Sequence, residues 1–189
     1  MGDSRYTSVR ILVRVLAGAD PVTRHHPVLA TALERLRIAH APAEIERLDR
    51  MIWRMWSSAG TREAVRAFDR ALLALSSGEF GKAVSALAEA VAIDPTFAEA
   101  WNRRATVFFL LGKNARAIAD IERVLVLEPR HYGALSGLGQ LLLQEGEPDG
   151  ALAAFEAALR VNPHLLRVRE ACDRIRAGLP APARRPLLH

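Results

Sequence analysis

The sequence predicts an all-α solenoid in which three copies of one 34-residue helical hairpin stack on each other. Three sets of residues share this period: Pro95, Pro129 and Pro163; Gly78, Gly112 and Gly146; and Ala83, Ala117 and Ala151. Apolar residues also recur at helical spacing on both sides of each glycine. The only cysteine, Cys172, can form neither an internal disulfide nor a zinc cluster, so packing alone must hold this fold.

Length and composition are those of a packed globular protein. Half of the 189 residues are apolar and a quarter are charged, which excludes global disorder. The longest run without Asp, Glu, Lys or Arg covers the fourteen residues 131–144, whereas a membrane span needs roughly 18 or more apolar residues. We therefore expect no membrane span.

The net charge of +5 is unevenly distributed. Residues 1–63 sum to +3, residues 64–165 to −2 and residues 166–189 to +4. A nucleic-acid surface needs Lys and Arg clustered on one face with interleaved aromatic residues, and the middle of this chain has neither. Nucleic acid is therefore not an expected partner, and the 24 Arg against 2 Lys are more typical of codon bias.

The N-terminal residues 1–26 are predicted to be a poorly ordered arm or a leader. Their apolar run, residues 9–19, has the outline of a secretory signal, but Arg14 interrupts it. The same run could instead dock on a partner. The expected compartment is the cytoplasm, or the periplasm if residues 1–20 form a degenerate leader.

Residues 27–63 are predicted to form a divergent helix pair, whose second helix begins at Pro42. This second helix carries one apolar stripe, at Ile45, Leu48, Met51, Ile52, Met55 and Trp56. We expect the pair to stack on residues 64–83, with Trp53 and Trp56 as packing anchors. The alternative for this stripe is an exposed docking surface.

The three repeats are placed at residues 64–97, 98–131 and 132–165. In each, glycine ends the first helix, a small alanine allows close helix approach, and proline stops the second helix. Residues 166–178 carry an apolar stripe with arginines opposite, which predicts a capping helix. Residues 179–189 are predicted to be a disordered tail.

This pattern resembles the tetratricopeptide repeat, as found in small bacterial proteins of that superfamily. The second copy supplies Trp101, Ala105, Phe108, Ala117 and Pro129, and the third supplies Leu138, Gly139, Ala151, Phe155, Ala158 and Pro163. Arg70 and Arg104 replace the family's leucine, and we expect their heads to lie in water. The resemblance implies a right-handed α-solenoid that acts as a protein-binding scaffold or adaptor.

The same resemblance implies that the first helices line a concave groove. The groove residues implied to bind a partner are Phe68, Leu72, Leu75, Asn102, Thr106, Phe109, Gln140, Leu143 and Gln144. Because they are apolar or neutral, the expected ligand is an apolar segment of another protein, oriented by the amides. Family members that hold chaperone C-terminal tails use basic residues and Asn where this chain has Phe68, Leu72, Gly133 and Gly137, so such a tail is not expected.

An alternative for the groove is that the N-terminal hairpin or arm covers it. The exposure of Phe68 and Phe109 distinguishes the open groove from the covered one.

No catalytic, metal or cofactor site is predicted. Gly137 and Gly139 begin a dinucleotide fingerprint, but Leu142 stands in place of the third glycine, so both are read as repeat packing. The histidines lack metal-ligand spacing and are expected at the surface or in turns. The chain is thus expected to be a non-catalytic interaction module; the alternative is a constitutive structural subunit of a larger assembly, which could contain nucleic acid.

Overall fold

The computed structural model describes residues 27–178, which form nine α-helices and no strand. The helices are α1 (Pro27–Ile38), α2 (Pro42–Ser57), α3 (Arg62–Ser76), α4 (Phe80–Ile93), α5 (Ala98–Leu110), α6 (Asn114–Leu127), α7 (Tyr132–Gln144), α8 (Pro148–Val161) and α9 (Leu166–Arg176). Within this part of the chain, no helix is long and apolar enough to cross a membrane. The predicted arm 1–26 and tail 179–189 lie outside the described residues.

The predicted solenoid is confirmed. Helices α3–α4, α5–α6 and α7–α8 form three antiparallel hairpins, and each hairpin packs on the next through α4 against α5 and α6 against α7. Helix α9 packs on α8 and covers the end of the array. Val168, Ala171 and Cys172 of α9 are buried there, as a capping helix requires.

A glycine in the left-handed region closes each hairpin turn. Gly78, Gly112 and Gly146 have φ of 71°, 70° and 78°, a conformation that side chains with a Cβ rarely adopt. In the first turn, the N–H of Glu79 donates to the carbonyl of Ala74 at 2.8 Å, and the other two turns repeat this bond. These bonds satisfy carbonyls at the helix end that would otherwise lack a partner.

A buried polar residue before each proline organises the turn between repeats. Asp94, Glu128 and Asn162 leave the helical region, with ψ between 91° and 94°, because the following proline disfavours it. Their side chains then accept backbone N–H groups two residues on; Asn162 Oδ1, for example, accepts from His164 at 3.0 Å. The repeat boundary is therefore fixed by local chemistry.

The repeat register predicts that Trp101, Phe108, Ile121, Leu138 and Phe155 are interior. The last four are buried, but the prediction is wrong for Trp101, which is only partly buried. The indole N–H of Trp101 donates to the carbonyl of Pro95 at 3.1 Å, so the ring lies at the edge of the array. Gly139 is needed for packing, as predicted, because an added Cβ would lie 2.5 Å from the Phe155 ring.

The expectation that the heads of the two arginines lie in water is wrong for Arg104. Its guanidinium makes two hydrogen bonds of 2.8 Å to the buried carboxylate of Asp120 and lies 4.7 Å from the Trp101 ring centre. Arg70 pairs with Glu89 at 2.6 Å in an exposed position. An ion pair between α5 and α6 thus replaces the apolar contact that leucine would make in the second repeat.

The N-terminal helix pair exists as predicted, but it does not stack on residues 64–83. Its principal contacts are between α1 and α8 and between α2 and α5, so it lies against the second and third repeats. The outward-facing Leu73 of α3 is left 70% exposed. The reason is chemical: the aromatic and acidic side chains of α2 find their partners at the start of α7, described next.

Candidate functional site

The nine predicted groove residues divide by exposure into three groups. Phe68, Asn102 and Phe109 are buried, Leu72 is 37% exposed, and the remaining five are partly buried. Phe68 packs on Phe97 with ring centres 5.1 Å apart, and Phe109 belongs to the core cluster that includes Trp56 of α2. Phe68 and Phe109 are the two residues whose exposure distinguishes an open groove from a covered one. Both are buried, as the covered alternative expects.

A narrow cleft remains between α5 and α7. Asn102, Thr106, Phe109 and Gln140 line it together with the backbone of Gly133 and Gly137. Its free volume is about 20 Å³, which is room for one or two water molecules but not for an apolar side chain. The structure thus brings four of the predicted residues together, whereas the exposed Leu72 lies apart from them on α3 in the first repeat.

Two tryptophans of α2 lie on the start of α7. The Trp56 indole stacks on the His131 ring, with centres 4.1 Å apart and an interplanar angle of 15°, while Trp53 meets His131 and Tyr132 edge-on. A Cβ added to Gly133 would lie 2.6 Å from the Trp53 ring. Glycine at this position therefore forms the niche that admits the Trp53 indole.

Polar contacts fix the same helix pair. Asp49 of α2 accepts a 2.7 Å hydrogen bond from the hydroxyl of Tyr132 and a 3.3 Å bond from the amide of Asn162. His164 Nε2 donates to the carbonyl of Leu36 at the end of α1, at 2.9 Å. Burial first, and then the negative charge of Asp49, raise the pKa of Tyr132, which keeps its hydroxyl a hydrogen-bond donor.

Beneath the tryptophans lies a buried acidic group. Glu99 is fully buried and is contacted by His131 Nε2 at 3.0 Å, Asn102 Nδ2 at 2.8 Å and Arg103 Nε at 2.7 Å. Burial alone would raise the pKa of Glu99, but the hydrogen bond from His131 and the charge of Arg103 outweigh it and hold the pKa below its usual value. Glu99 is therefore a carboxylate at neutral pH.

The tautomer of His131 follows from its two contacts. Nδ1 accepts the backbone N–H of Ala134 at 3.1 Å and caps α7, so Nε2 carries the hydrogen that is donated to Glu99. Sequence reasoning expected a surface or turn histidine, and the residue does lie in a turn but is fully buried. The interaction it makes depends on Glu99, 32 residues away, which no local pattern reveals.

The metal-ligating side-chain types and the cysteine are placed as follows in the described part of the chain. Between 27 and 178, no group of three or more His, Cys, Asp and Glu side chains is placed to hold a metal ion. Cys172 is buried, and this burial raises the pKa of its thiol, which disfavours the reactive thiolate.

Comparison with known proteins identifies the family. The profile described as "Tetratricopeptide repeat" matches residues 68–125 and 111–164, together more than half of the chain. The chain therefore belongs to the tetratricopeptide repeat family, whose domains are protein–protein interaction modules.

Curated relatives share the repeats over part of their length. A TPR repeat-containing protein of Rhizobium etli is 38% identical over 108 residues, which cover 57% of this chain and 53% of that protein. DnaJ homolog subfamily C member 3 of Mus musculus is 36% identical over 97 residues, 51% of this chain but 19% of that protein. The chain thus spans about half, or less, of these two relatives.

Solved structures share the fold at low sequence identity. The first TPR of Spaghetti, bound to the HSP90 peptide SRMEEVD, has a TM-score of 0.60 at 19% identity, covering 62% of this chain and 93% of that one. The MamA protein has a TM-score of 0.58 at 18% identity and covers 94% of this chain and 84% of its own. Both likenesses support the solenoid fold.

Proposed function

We propose that this protein is a non-catalytic adaptor that binds an apolar segment of a partner protein on its concave face. The observation that carries the proposal is the chemistry of the nine groove residues, all of them apolar or neutral. Leu72 and the half-buried Leu75 offer the accessible apolar surface. Thr106, Gln140 and Gln144 supply hydroxyl and amide groups that can pair with a ligand backbone, beside Leu143. Phe68, Asn102 and Phe109 support this surface from beneath.

A chaperone C-terminal carboxylate is a poorer ligand for this face. The positions implied to carry the basic residues are occupied by Phe68, Leu72, Gly133 and Gly137. The two arginines of α5 are already committed, since Arg103 pairs with Glu99 and Arg104 with Asp120. A carboxylate would therefore lose water without gaining a cation, which costs binding free energy.

The experiment is a selection of displayed peptides against the purified chain. We expect the enriched peptides to be apolar, and their affinity to fall at least tenfold with Leu72→Asp. Leu166→Asp is the matched control, because Leu166 is an exposed leucine on α9, outside the groove. Enrichment of acidic C-terminal tails, or equal affinity for Leu72→Asp and the parent chain, would contradict the proposal.

A second candidate is a constitutive subunit of a larger assembly. Leu73, 70% exposed on the first helix of the array, favours it, because the N-terminal pair leaves this edge uncovered. Size-exclusion chromatography separates the two candidates. An adaptor elutes as a stable monomer or small oligomer, whereas a constitutive subunit aggregates without its neighbours.

A further inference from the structure

Five residues form a surface on the second and third repeats that we name the helix socket: Glu99, His131, Tyr132, Gly133 and Asn162. Each supplies a different kind of contact. His131 offers a ring for stacking, Gly133 a niche for a flat side chain, and Tyr132 and Asn162 two donors for a carboxylate. Glu99 holds His131 and Arg103 in place.

Helix α2 fits the helix socket through three side chains on one face. Asp49, Trp53 and Trp56 stand at positions i, i+4 and i+7, which place them one above the other along a helix. Asp49 meets the two donors, Trp53 fills the niche and Trp56 stacks on the histidine. The guanidinium of Arg103 lies 5.6 Å from the Trp53 ring centre and adds a cation–π contact.

Several features distinguish this contact from the packing between repeats. The pair does not stack on α3, and the first half of the four-residue connection to α3, Ser58 and Ala59, is exposed, whereas Thr61 at its end donates its N–H to Asp94. Within the described residues, the buried indole N–H of Trp56 has no hydrogen-bond acceptor, which is costly in a permanent core. The contact between α2 and the start of α7 combines one carboxylate and two aromatic rings with the apolar burial of Leu48 and Ile52, as in an amphipathic helix docked on a protein surface.

We propose that the helix socket is a binding site for an amphipathic helix and that α2 occupies it as an internal ligand. The partner it fits is a protein helix that carries a carboxylate and two aromatic side chains at i, i+4 and i+7. Such a helix competes with α2. The proposal rests on the proposed adaptor function, because it assigns to the concave face a second and more specific ligand than the apolar segment at Leu72.

The probe is a fluorescein-labelled synthetic peptide of residues 42–57, added to the full chain and followed by fluorescence anisotropy. In the parent chain, the short connection to α3 gives α2 an effective concentration on the order of millimolar, so the peptide binds weakly. Replacing Trp53 and Trp56 by Ala in the protein removes both rings of the internal competitor and weakens its hold, while the five residues of the helix socket are unchanged. We expect the peptide to bind this opened variant at least tenfold more tightly.

Two glycines of α7 provide matched controls in the opened variant. Gly133→Ala places a methyl group in the niche, 2.6 Å from the Trp53 ring position, and should weaken peptide binding at least tenfold. Gly137→Ala, one turn further along, meets only Ile121 at 3.5 Å and should leave binding unchanged. A peptide with both tryptophans replaced by Ala should not bind.

Circular dichroism establishes that each variant is folded. If the double tryptophan variant fails to fold, Asp49→Ala is used in its place. This variant loses the contacts to Tyr132 and Asn162 but keeps both tryptophan rings. We expect it to bind the peptide at least threefold more tightly than the parent chain does. Three outcomes would overturn the proposal. The first is a folded opened variant that binds the peptide no more tightly than the parent chain, and the second is equal peptide binding by Gly133→Ala and Gly137→Ala. The third is that the double tryptophan variant and Asp49→Ala both fail to fold. None of these outcomes alters the Leu72 experiment, because Leu72 lies on α3, outside the helix socket.

Discussion

At the scale of single residues, a close-packed aromatic ring joins the two helices of the third repeat. Phe155 is fully buried and its ring lies against the backbone of Gly139, so no larger residue at 139 and no smaller one at 155 preserves the contact. The sequence predicted the packing role of Gly139, and Phe155 stands at a position of the repeat pattern. Buried polar groups were harder to predict, because a sequence shows a charge but not the partner that compensates for its burial.

Truncation of Phe155 tests the register. We expect Phe155→Ala to lower the free energy of unfolding by about 3–5 kcal/mol, because it removes a buried ring and leaves a cavity. Chemical denaturation monitored by circular dichroism measures this change. Leu166→Ala, at a 69% exposed position, is the control and should cost less than about 0.5 kcal/mol. A loss below about 1 kcal/mol for Phe155→Ala would show that the register is wrong.

The buried carboxylate of Glu99 makes stability depend on pH. Its pKa is lowered in the folded chain, so its contribution is fully present above the usual glutamate pKa and is lost as pH falls through the lowered value. We expect Glu99→Gln to cost about 2–3 kcal/mol at pH 7 and to lose stability less steeply than the parent chain on acidification below about pH 4. Denaturation at a series of pH values measures both effects.

Glu122 on α6 provides the control of opposite sign. Burial raises its pKa, so its carboxylate opposes folding as pH rises, and Glu122→Gln should make the loss of stability on acidification steeper than in the parent chain. Identical pH profiles for the Glu99 and Glu122 variants would contradict this account of the buried network.

At the scale of elements, each helix begins and ends where local chemistry requires. Proline stops the second helix of every repeat, and a left-handed glycine ends the first. Such signals lie within a few residues of one another, which is why the repeats could be placed from the sequence. The docking of α2 is different in kind, because Asp49 and its partner Tyr132 are 83 residues apart.

Two glycines near one turn separate backbone conformation from packing. An added Cβ meets nothing within 4 Å at either Gly78 or Gly81, but only Gly78 has a positive φ, of 71°. We expect Gly78→Ala to destabilise the chain by about 1–2 kcal/mol, and Gly81→Ala in α4 to be neutral or to stabilise it by up to about 1 kcal/mol. Thermal unfolding of both variants tests this difference. Equal effects would mean that the turn does not need a left-handed residue.

At the scale of the whole molecule, each repeat packs on the next one, and the N-terminal pair adds contacts between segments that are distant in the sequence. In a simple solenoid each repeat contacts only the next one. Here the principal contacts of α1 and α2 are with the second and third repeats, while Leu72 and Leu73 of the first repeat stay exposed. The apolar stripe of α2 was predicted from the sequence. Periodicity shows which residues share one face of the helix, but it does not show which part of the protein that face packs against.

The central claim is that α2 docks on the second and third repeats, and a double-mutant cycle between Asp49 and Tyr132 tests it most directly. The free energy of unfolding is measured for the parent chain, Asp49→Ala, Tyr132→Phe and the double variant. A direct 2.7 Å bond to a carboxylate predicts a coupling energy of about 1–2 kcal/mol. Strictly additive effects, with a coupling energy near zero, would show that α2 lies elsewhere and would contradict the account.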